Sequence, residues 1–234
     1  MRRVAPLLAF ALLLLLSTCT SKPAETGDVA LTVFLDRDVT AEQKDAVQTQ
    51  LRSMPSVDGV TFETRDQVYE RSKVDWKDQP ELLANLKPEY APELVHATVT
   101  DASIAEAVEL LMAEVDGVDD VALRIADVDP LPSRIGIIVQ FKPSADSEQR
   151  AVVEQAVRAL PSTKSTRFEG HDAAYERLRK RCRGKGDLAT RLQPQMTHDS
   201  WRFEMPLTRN GAGVSDLLKL AGVDGVRFVP LAML

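Results

Sequence analysis

Apolar residues alternate with smaller or more polar ones in the stretch Val29-Ala30-Leu31-Thr32-Val33-Phe34-Leu35. A period of two is typical of a β-strand with one buried face, so we expect the first element to be a strand. The following Thr40-Ala41-Glu42-Gln43 has the form of a capping box, in which Thr and Gln side chains satisfy free amides at a helix start. We therefore expect a helix to begin here and to end at Pro55.

The remaining pattern predicts three more strands and three more helices in this part of the chain. The second and third strands are separated by two short helices, so these helices interrupt an otherwise simple order. Without them the order is βαββαβ, the split arrangement of ferredoxin-like folds. We expect an antiparallel sheet with both long helices on one face and the short helices projecting as a lobe. The predicted strands are 59–63, 95–100 and 118–125, the short helices 65–73 and 81–86, and the second long helix 104–115.

The chain repeats itself after 106 residues. Phe62-Glu63 matches Phe168-Glu169, and Tyr69-Glu70-Arg71 matches Tyr175-Glu176-Arg177. A period this long indicates tandem domains rather than a solenoid of short repeats. The sequence therefore predicts an α+β protein of two tandem ferredoxin-like (βαββαβ) domains, each with a small helical lobe inserted between strands 2 and 3.

The N-terminus has the features of an export signal. Arg2 and Arg3 precede an uncharged apolar run, which is too short to span a membrane as a helix. Leu16-Ser17-Thr18-Cys19 resembles the bacterial lipobox, in which the Cys is acylated; an ordinary cleaved signal is the alternative. We expect a lipid anchor at Cys19 on the outer face of the cytoplasmic membrane. The expected division is signal peptide 1–19, tether 20–28, first domain 29–126, linker 127–132 and second domain 133–234.

Charge differs sharply between the two repeats. Residues 28–127 carry 22 acidic against 9 basic side chains, and residues 133–234 carry 11 against 17. The basic excess lies in the second lobe, which could dock on the acidic domain, meet anionic lipid or wall polymer, or be a solvated helix face. Because the protein is expected to be exported and is acidic overall, we expect no nucleic-acid partner. This predicted basic patch comprises Arg177, Arg179, Lys180, Arg181, Arg183, Lys185 and Arg191.

Catalytic signatures are missing from the sequence. His96, His171 and His198 lack metal-ligand spacing, and neither a nucleophile elbow nor a phosphate-binding glycine loop is present. Cys182 lies in a basic stretch, and we interpret it as a partly buried residue rather than a reactive thiol. We therefore expect no enzyme activity, no metal and no cofactor.

One part of the first repeat resembles a known family. The Tyr-Glu-Arg helix is followed by Asp78-Gln79-Pro80-Glu81-Leu82-Leu83 and Leu86-Lys87-Pro88. These motifs resemble the sequence of the extracellular domain of the FtsX-type cell-division permease. The second copy is more diverged, since Lys142 replaces the acidic Asp36 and the Gln-Pro turn is missing. The chain also lacks the transmembrane helices of the permease.

The resemblance implies binding of a cell-wall hydrolase or its activator through apolar residues of the lobe. The alternative for Tyr69, Leu82 and Leu86 is a small core within the lobe. We therefore expect a non-catalytic binding module of division or wall remodelling, with an envelope structural or self-associating protein as the second hypothesis. The matching positions are Tyr69, Trp76, Leu82, Leu83, Leu86 and Tyr90.

Overall fold

The computed structural model describes residues 27–126, 132–207 and 211–234. The predicted signal peptide with Cys19, residues 20–26 of the tether and residues 127–131 of the linker lie outside the described residues.

The first domain has the predicted order of elements. Capping boxes at Thr40 and Thr64 begin its first two helices, with Gln43 and Gln67 closing the reciprocal hydrogen bonds. Short 3-10 turns lie at Pro88–Tyr90 and Ala102–Ile104. The elements are β1 (Val29–Leu35), α1 (Ala41–Ser53), β2 (Val57–Glu63), α2 (Arg65–Asp75), α3 (Pro80–Asn85), β3 (Leu94–Val99), α4 (Ala105–Ala113) and β4 (Val118–Ile125).

The second domain follows the same plan with one difference. Where the repeat predicts a long helix equivalent to α4, the chain forms a 3-10 helix, Gly211–Lys219. Gly211 and Gly213 weaken an α-helix here, and Gly213 has a positive φ of 86° that an α-helix does not contain. The other elements are β5 (Arg134–Phe141), α5 (Ser147–Ala159), β6 (Lys164–Glu169), α6 (His171–Arg181), α7 (Leu188–Arg191), β7 (Ser200–Pro206) and β8 (Val223–Val229), with 3-10 turns at Pro194–Met196 and Leu231–Met233.

Each domain contains a four-stranded antiparallel sheet. The strand orders are β2-β3-β1-β4 and β6-β7-β5-β8. The register repeats as well, since Val33 pairs with Val95 in the first sheet and Val139 with Trp201 in the second. This topology is the ferredoxin-like one, so the predicted fold class is confirmed.

The hydrophobic core of the first domain extends into the second. Val33 of β1 and Val47 of α1 belong to a cluster of buried side chains that also contains Ile138 of β5 and Leu188 of α7. A separate core lies between α5, the 3-10 helix Gly211–Lys219 and the other face of the second sheet. The second sheet is therefore covered on both faces, and β5 is buried from Ile135 to Phe141.

Helix α4 lies at the centre of the contact between the domains. Its residues from Ala105 to Met112 are all buried, including Glu106 and Glu109. One side of α4 faces its own sheet, and the opposite side faces the second lobe, residues 171–196, and the second sheet. The expectation that both lobes project is therefore wrong for the second lobe. Its apolar side chains pack against α4, and its Arg177 forms an ion pair with Glu106 of that helix.

Candidate functional site

A glutamate–arginine pair attaches each lobe to its sheet. In the first domain Arg71 of α2 donates to both carboxylate oxygens of Glu63 at the end of β2, at 2.8 and 3.0 Å. In the second domain Arg177 makes the same pair with Glu169, at 2.7 and 2.9 Å. The hydrogen bond from Arg71 is the largest cause that lowers the pKa of the Glu63 carboxyl. The repeated Phe-Glu and Tyr-Glu-Arg motifs therefore fix the orientation of the lobes.

His96 completes this attachment in the first domain. Its Nε2 lies 2.8 Å from Glu63 Oε2, and its Nδ1 lies 3.3 Å from Thr32 Oγ1. The ring thus lies on the sheet floor beneath the first lobe, residues 65–90. The sequence alone identified His96 only as a strand histidine and gave no reason to place it here.

The first lobe presents apolar side chains to solvent. Leu82 is 44% exposed and Tyr90 is 62% exposed, and Val74, which the sequence reasoning had not selected, is 67% exposed. Trp76, Leu83 and Leu86 are half-buried, and every residue of α3 keeps part of its side chain accessible. The lobe thus buries little apolar surface of its own.

Tyr69 differs from the other predicted residues of the first lobe. Its side chain is half-buried and packs against a small cluster formed by Val68, Ala91 and Leu94. Tyr69 therefore holds α2 against the end of β3, whereas Leu82 and Tyr90 are directed outward. The structure brings the six predicted residues onto one lobe, but it gives them unequal exposure.

Charged side chains around the exposed apolar residues are mixed in sign. Arg37 and Lys87 lie 5.8 and 5.4 Å from the centre of the Tyr90 ring. Lys73 pairs with Glu70 within α2 at 2.8 Å. An apolar surface with a mixed polar rim is typical of protein–protein contacts.

The second lobe has the opposite character at the matching positions. Cys182 and Leu188 are 0% exposed and Leu192 is 3% exposed. These side chains belong to the core cluster that contains α4 of the first domain, and Tyr175, Ala189 and Met196 pack against it. Burial raises the pKa of the Cys182 thiol to about 11, so the thiol stays protonated and the interpretation as a reactive residue has no support here.

The predicted basic patch does not form one open surface. Arg177 pairs with Glu106 of the first domain at 2.9 Å, and Lys185 pairs with Asp101 at 3.0 Å. Arg181 donates to the backbone oxygens of Met233 and Leu234. The other four side chains of the patch are more accessible to solvent. Arg179, Lys180 and Arg183 are exposed, and Arg191 is half-buried.

A buried ion cluster joins the two domains. Glu106 of α4 accepts from Arg177 at 2.9 Å and from Arg202 at 2.5 Å, and Arg202 Nε lies 2.7 Å from Glu169. Burial would raise the pKa of the Glu106 carboxyl, but Arg202 and Arg177 outweigh it, so this pKa lies below its ordinary value. Sequence reasoning missed the cluster because its members are far apart in the chain. The available signal was Arg202 between the aromatic residues Trp201 and Phe203, at the position matching His96.

Glu109, one turn further along α4, has fewer ion-pair partners for its buried carboxylate than Glu106 has. It pairs with Arg227 of β8, and its Oε1 has no hydrogen-bond partner among the residues that the structure describes. Burial is the largest cause that raises the pKa of this carboxyl to about 7. The acidic face of α4 thus meets the second domain through two carboxylates in different electrostatic states.

The described residues contain no candidate metal site. Within residues 27–126, 132–207 and 211–234, no group of three or more His, Cys, Asp or Glu side chains could hold a metal ion. In these same ranges, the helices are too short or too polar to cross a membrane.

Comparison with known proteins identifies the repeated domain. The sequence model of the FtsX extracellular domain matches residues 28–133 and again residues 134–229, which confirms the resemblance seen in the lobe motifs. No curated protein sequence matches the chain. FtsX extracellular domains are non-catalytic modules of cell division that bind partners on the extracytoplasmic side. The chain therefore belongs to the FtsX extracellular domain family and carries that domain twice in tandem.

Proposed function

We propose that this protein is a lipid-anchored, non-catalytic binding module that holds a cell-wall hydrolase or its activator on its first lobe. The observation that carries the proposal is the exposure of Val74, Leu82 and Tyr90 on the lobe that also carries the half-buried Trp76. Aromatic and aliphatic side chains grouped on one lobe are suitable anchors for a partner, because burial of such residues supplies most of the binding energy at protein interfaces.

The second lobe supports this assignment by contrast. It carries the same motif positions, yet Cys182, Leu188 and Leu192 are buried against the first domain. The same scaffold can therefore bury these positions when an apolar surface is opposite them. The exposure of the first lobe is not a general property of the fold.

The proposed lipid anchor rests on the lipobox-like Leu16-Ser17-Thr18-Cys19. Acylation of Cys19 would hold the domains beside the outer face of the cytoplasmic membrane, with residues 20–28 as a short tether. A hydrolase or activator held there would be kept close to the wall that it acts on. The protein has a binding role in this proposal, and the partner supplies any hydrolysis.

The proposal is tested by co-precipitation from detergent-solubilised envelopes of the source bacterium. The baits are the full-length protein and its Leu82→Ala and Tyr90→Ala variants. Leu218→Ala is the matched control, because Leu218 is 54% exposed on the second domain, away from both lobes. We expect a wall hydrolase or hydrolase activator with the native bait and the control, and at least a tenfold loss with both lobe variants. Equal recovery with all four baits would exclude the first lobe as the binding surface.

Binding of anionic lipid or wall polymer is a second candidate function. Arg179, Lys180 and Arg183 remain exposed on the second lobe, so part of the basic patch is free to meet an anionic surface. Self-association through oppositely charged domains has less support. Several of the charges that would drive it, including Glu106, Arg177 and Arg202, are paired within the chain.

A further inference from the structure

The two lobes are copies of one surface in two different states. The shift of 106 residues places Trp76, Leu82 and Leu86 of the first lobe on Cys182, Leu188 and Leu192 of the second. The first set is exposed or half-buried, whereas the exposed fractions in the second set are 0%, 0% and 3%. Something therefore covers the second copy of the surface and leaves the first copy open.

The sheet floor beside each lobe differs in chemistry, although Thr32 of the first floor is also buried, at 6% exposure. The same shift places Thr32 and His96 of the first sheet on Ile138 and Arg202 of the second. Ile138 is 2% exposed and belongs to the shared core, and Arg202 is 1% exposed and paired with Glu106. The crevice between the second lobe and its sheet is thus apolar and basic, whereas the corresponding floor of the first domain carries Thr32 and His96.

The element in the second crevice complements it in shape and charge. The turn Ala102–Ile104 and helix α4 bring small buried residues, Ala102 and Ala105, to this contact. Small side chains allow close approach of the α4 backbone. The acidic residues around them face basic ones across the crevice. The pairs are Asp101 with Lys185, Glu106 with Arg177 and Arg202, and Glu109 with Arg227.

We propose that the second lobe is an interaction surface of the same kind as the first, and that its ligand is helix α4 of this chain's own first domain. In the second repeat this surface faces the first domain, and its contacts with α4 hold the two domains in one fixed orientation. The inference rests on the proposed function in one respect: it leaves only the first lobe for an external partner, so each chain binds one.

The inference is tested by introducing a photo-crosslinking residue, p-benzoylphenylalanine, at position 196 of the full-length protein. Met196 lies beside Leu111 and Val115 along the cleft between the second lobe and the first domain. Irradiation is expected to join position 196 to helix α1 or α4 of the same chain, seen as a crosslinked peptide pair in a protein of unchanged mass. The matched variant carries the same residue at position 90, where Tyr90 is 62% exposed and no such adduct is expected.

Three results would overturn the inference. A crosslinked species of twice the chain mass from position 196 would show that a second copy, rather than the same chain, covers the lobe. Absence of any adduct with α1 or α4, together with rapid reaction of Cys182 with a thiol reagent in the native protein, would show that the lobe is open. An adduct of a different protein at position 196 in intact envelopes would show a second external site.

The same experiment separates this inference from the proposed function. An intramolecular adduct at position 196, with a hydrolase or activator adduct at position 90 in envelopes, supports both. The intramolecular adduct with no partner at position 90 would contradict the proposed function and leave the covered second lobe established.

Discussion

Glu106 and Glu109 lie one turn apart on α4 and face the same domain with different electrostatic results. Two guanidinium groups surround Glu106, and they favour its charged form despite burial. Burial raises the pKa of Glu109 to about 7, because its one partner, Arg227, offsets burial only in part and nearby Glu106 and Asp120 add repulsion. Removing one member of a well-paired buried cluster leaves an unpaired charge, which destabilises proteins by about 3–5 kcal/mol. Glu106 is therefore the more important of the two for stability.

The pKa of Glu109 predicts how the stability of the protein depends on pH. A carboxyl whose pKa is about 7 when folded and 4.5 when unfolded binds more protons in the folded state, so stability falls as pH rises between these values. For Glu109→Gln we expect this decline to disappear. The free energy of unfolding of the variant, relative to that of the wild type, should therefore increase by about 2–3 kcal/mol between pH 4.5 and pH 8. Urea unfolding of both proteins across this range measures the difference. Parallel stability curves would show that Glu109 titrates normally.

The buried ion cluster also shows where prediction from sequence ends. The pattern predicted a helix near Ile104, but Glu106 looked like any acidic residue on a solvated helix face. Its partner Arg177 is 71 residues away in the chain. Only the docking of the two repeats brings these side chains together, and no local pattern encodes that docking.

At the scale of elements, local chemistry determined most of the fold. Thr40 and Gln43 begin α1 through the predicted capping box, and the predicted strand 118–125 has the same bounds in β4. The 3-10 helix Gly211–Lys219 departs from the repeat because its glycines, rather than the apolar pattern shared with α4, decide the backbone. The lobe motifs placed the candidate surface on the first copy, which is the closer match to the family, but they did not predict that the second copy packs against α4.

The matched positions Leu82 and Leu188 allow a direct comparison of the two lobes. Leu188 is 0% exposed and Leu82 is 44% exposed. We expect Leu188→Ala to lower the free energy of unfolding by about 2–5 kcal/mol, because it leaves a cavity between α7 and the first domain. Leu82→Ala should change it by less than about 1 kcal/mol. Urea unfolding with fluorescence detection measures both, and equal losses would show that the first lobe is packed as tightly as the second.

At the scale of the whole molecule, one hydrophobic core is shared by both domains. Side chains of the second lobe and of β5 lie in the same cluster as the first sheet. Proteins of two domains often unfold in separate steps, because few contacts cross the boundary. Here the boundary contains buried apolar residues and an ion cluster, so the domains should depend on each other.

We therefore expect a single cooperative thermal transition. Differential scanning calorimetry should give equal calorimetric and van't Hoff enthalpies for residues 20–234. Leu188→Ala should move the entire transition to lower temperature, whereas the exposed control Leu218→Ala should leave it in place. Two resolved transitions, with only one shifted by Leu188→Ala, would show that the domains unfold independently.

The ion cluster around Glu106 has a consequence for how related sequences can change. A duplicated domain is ordinarily free to diverge from its sister, but here an acidic side chain in one copy is matched to basic side chains in the other. Substitution at Glu106 alone would leave Arg177 and Arg202 without their shared partner, so these positions should change together among tandem relatives. Relatives that carry a single copy should show a polar, solvated residue in place of Glu106 and no arginine at the strand position of His96. At these positions, the residue found in one repeat should therefore predict the residue found in the other.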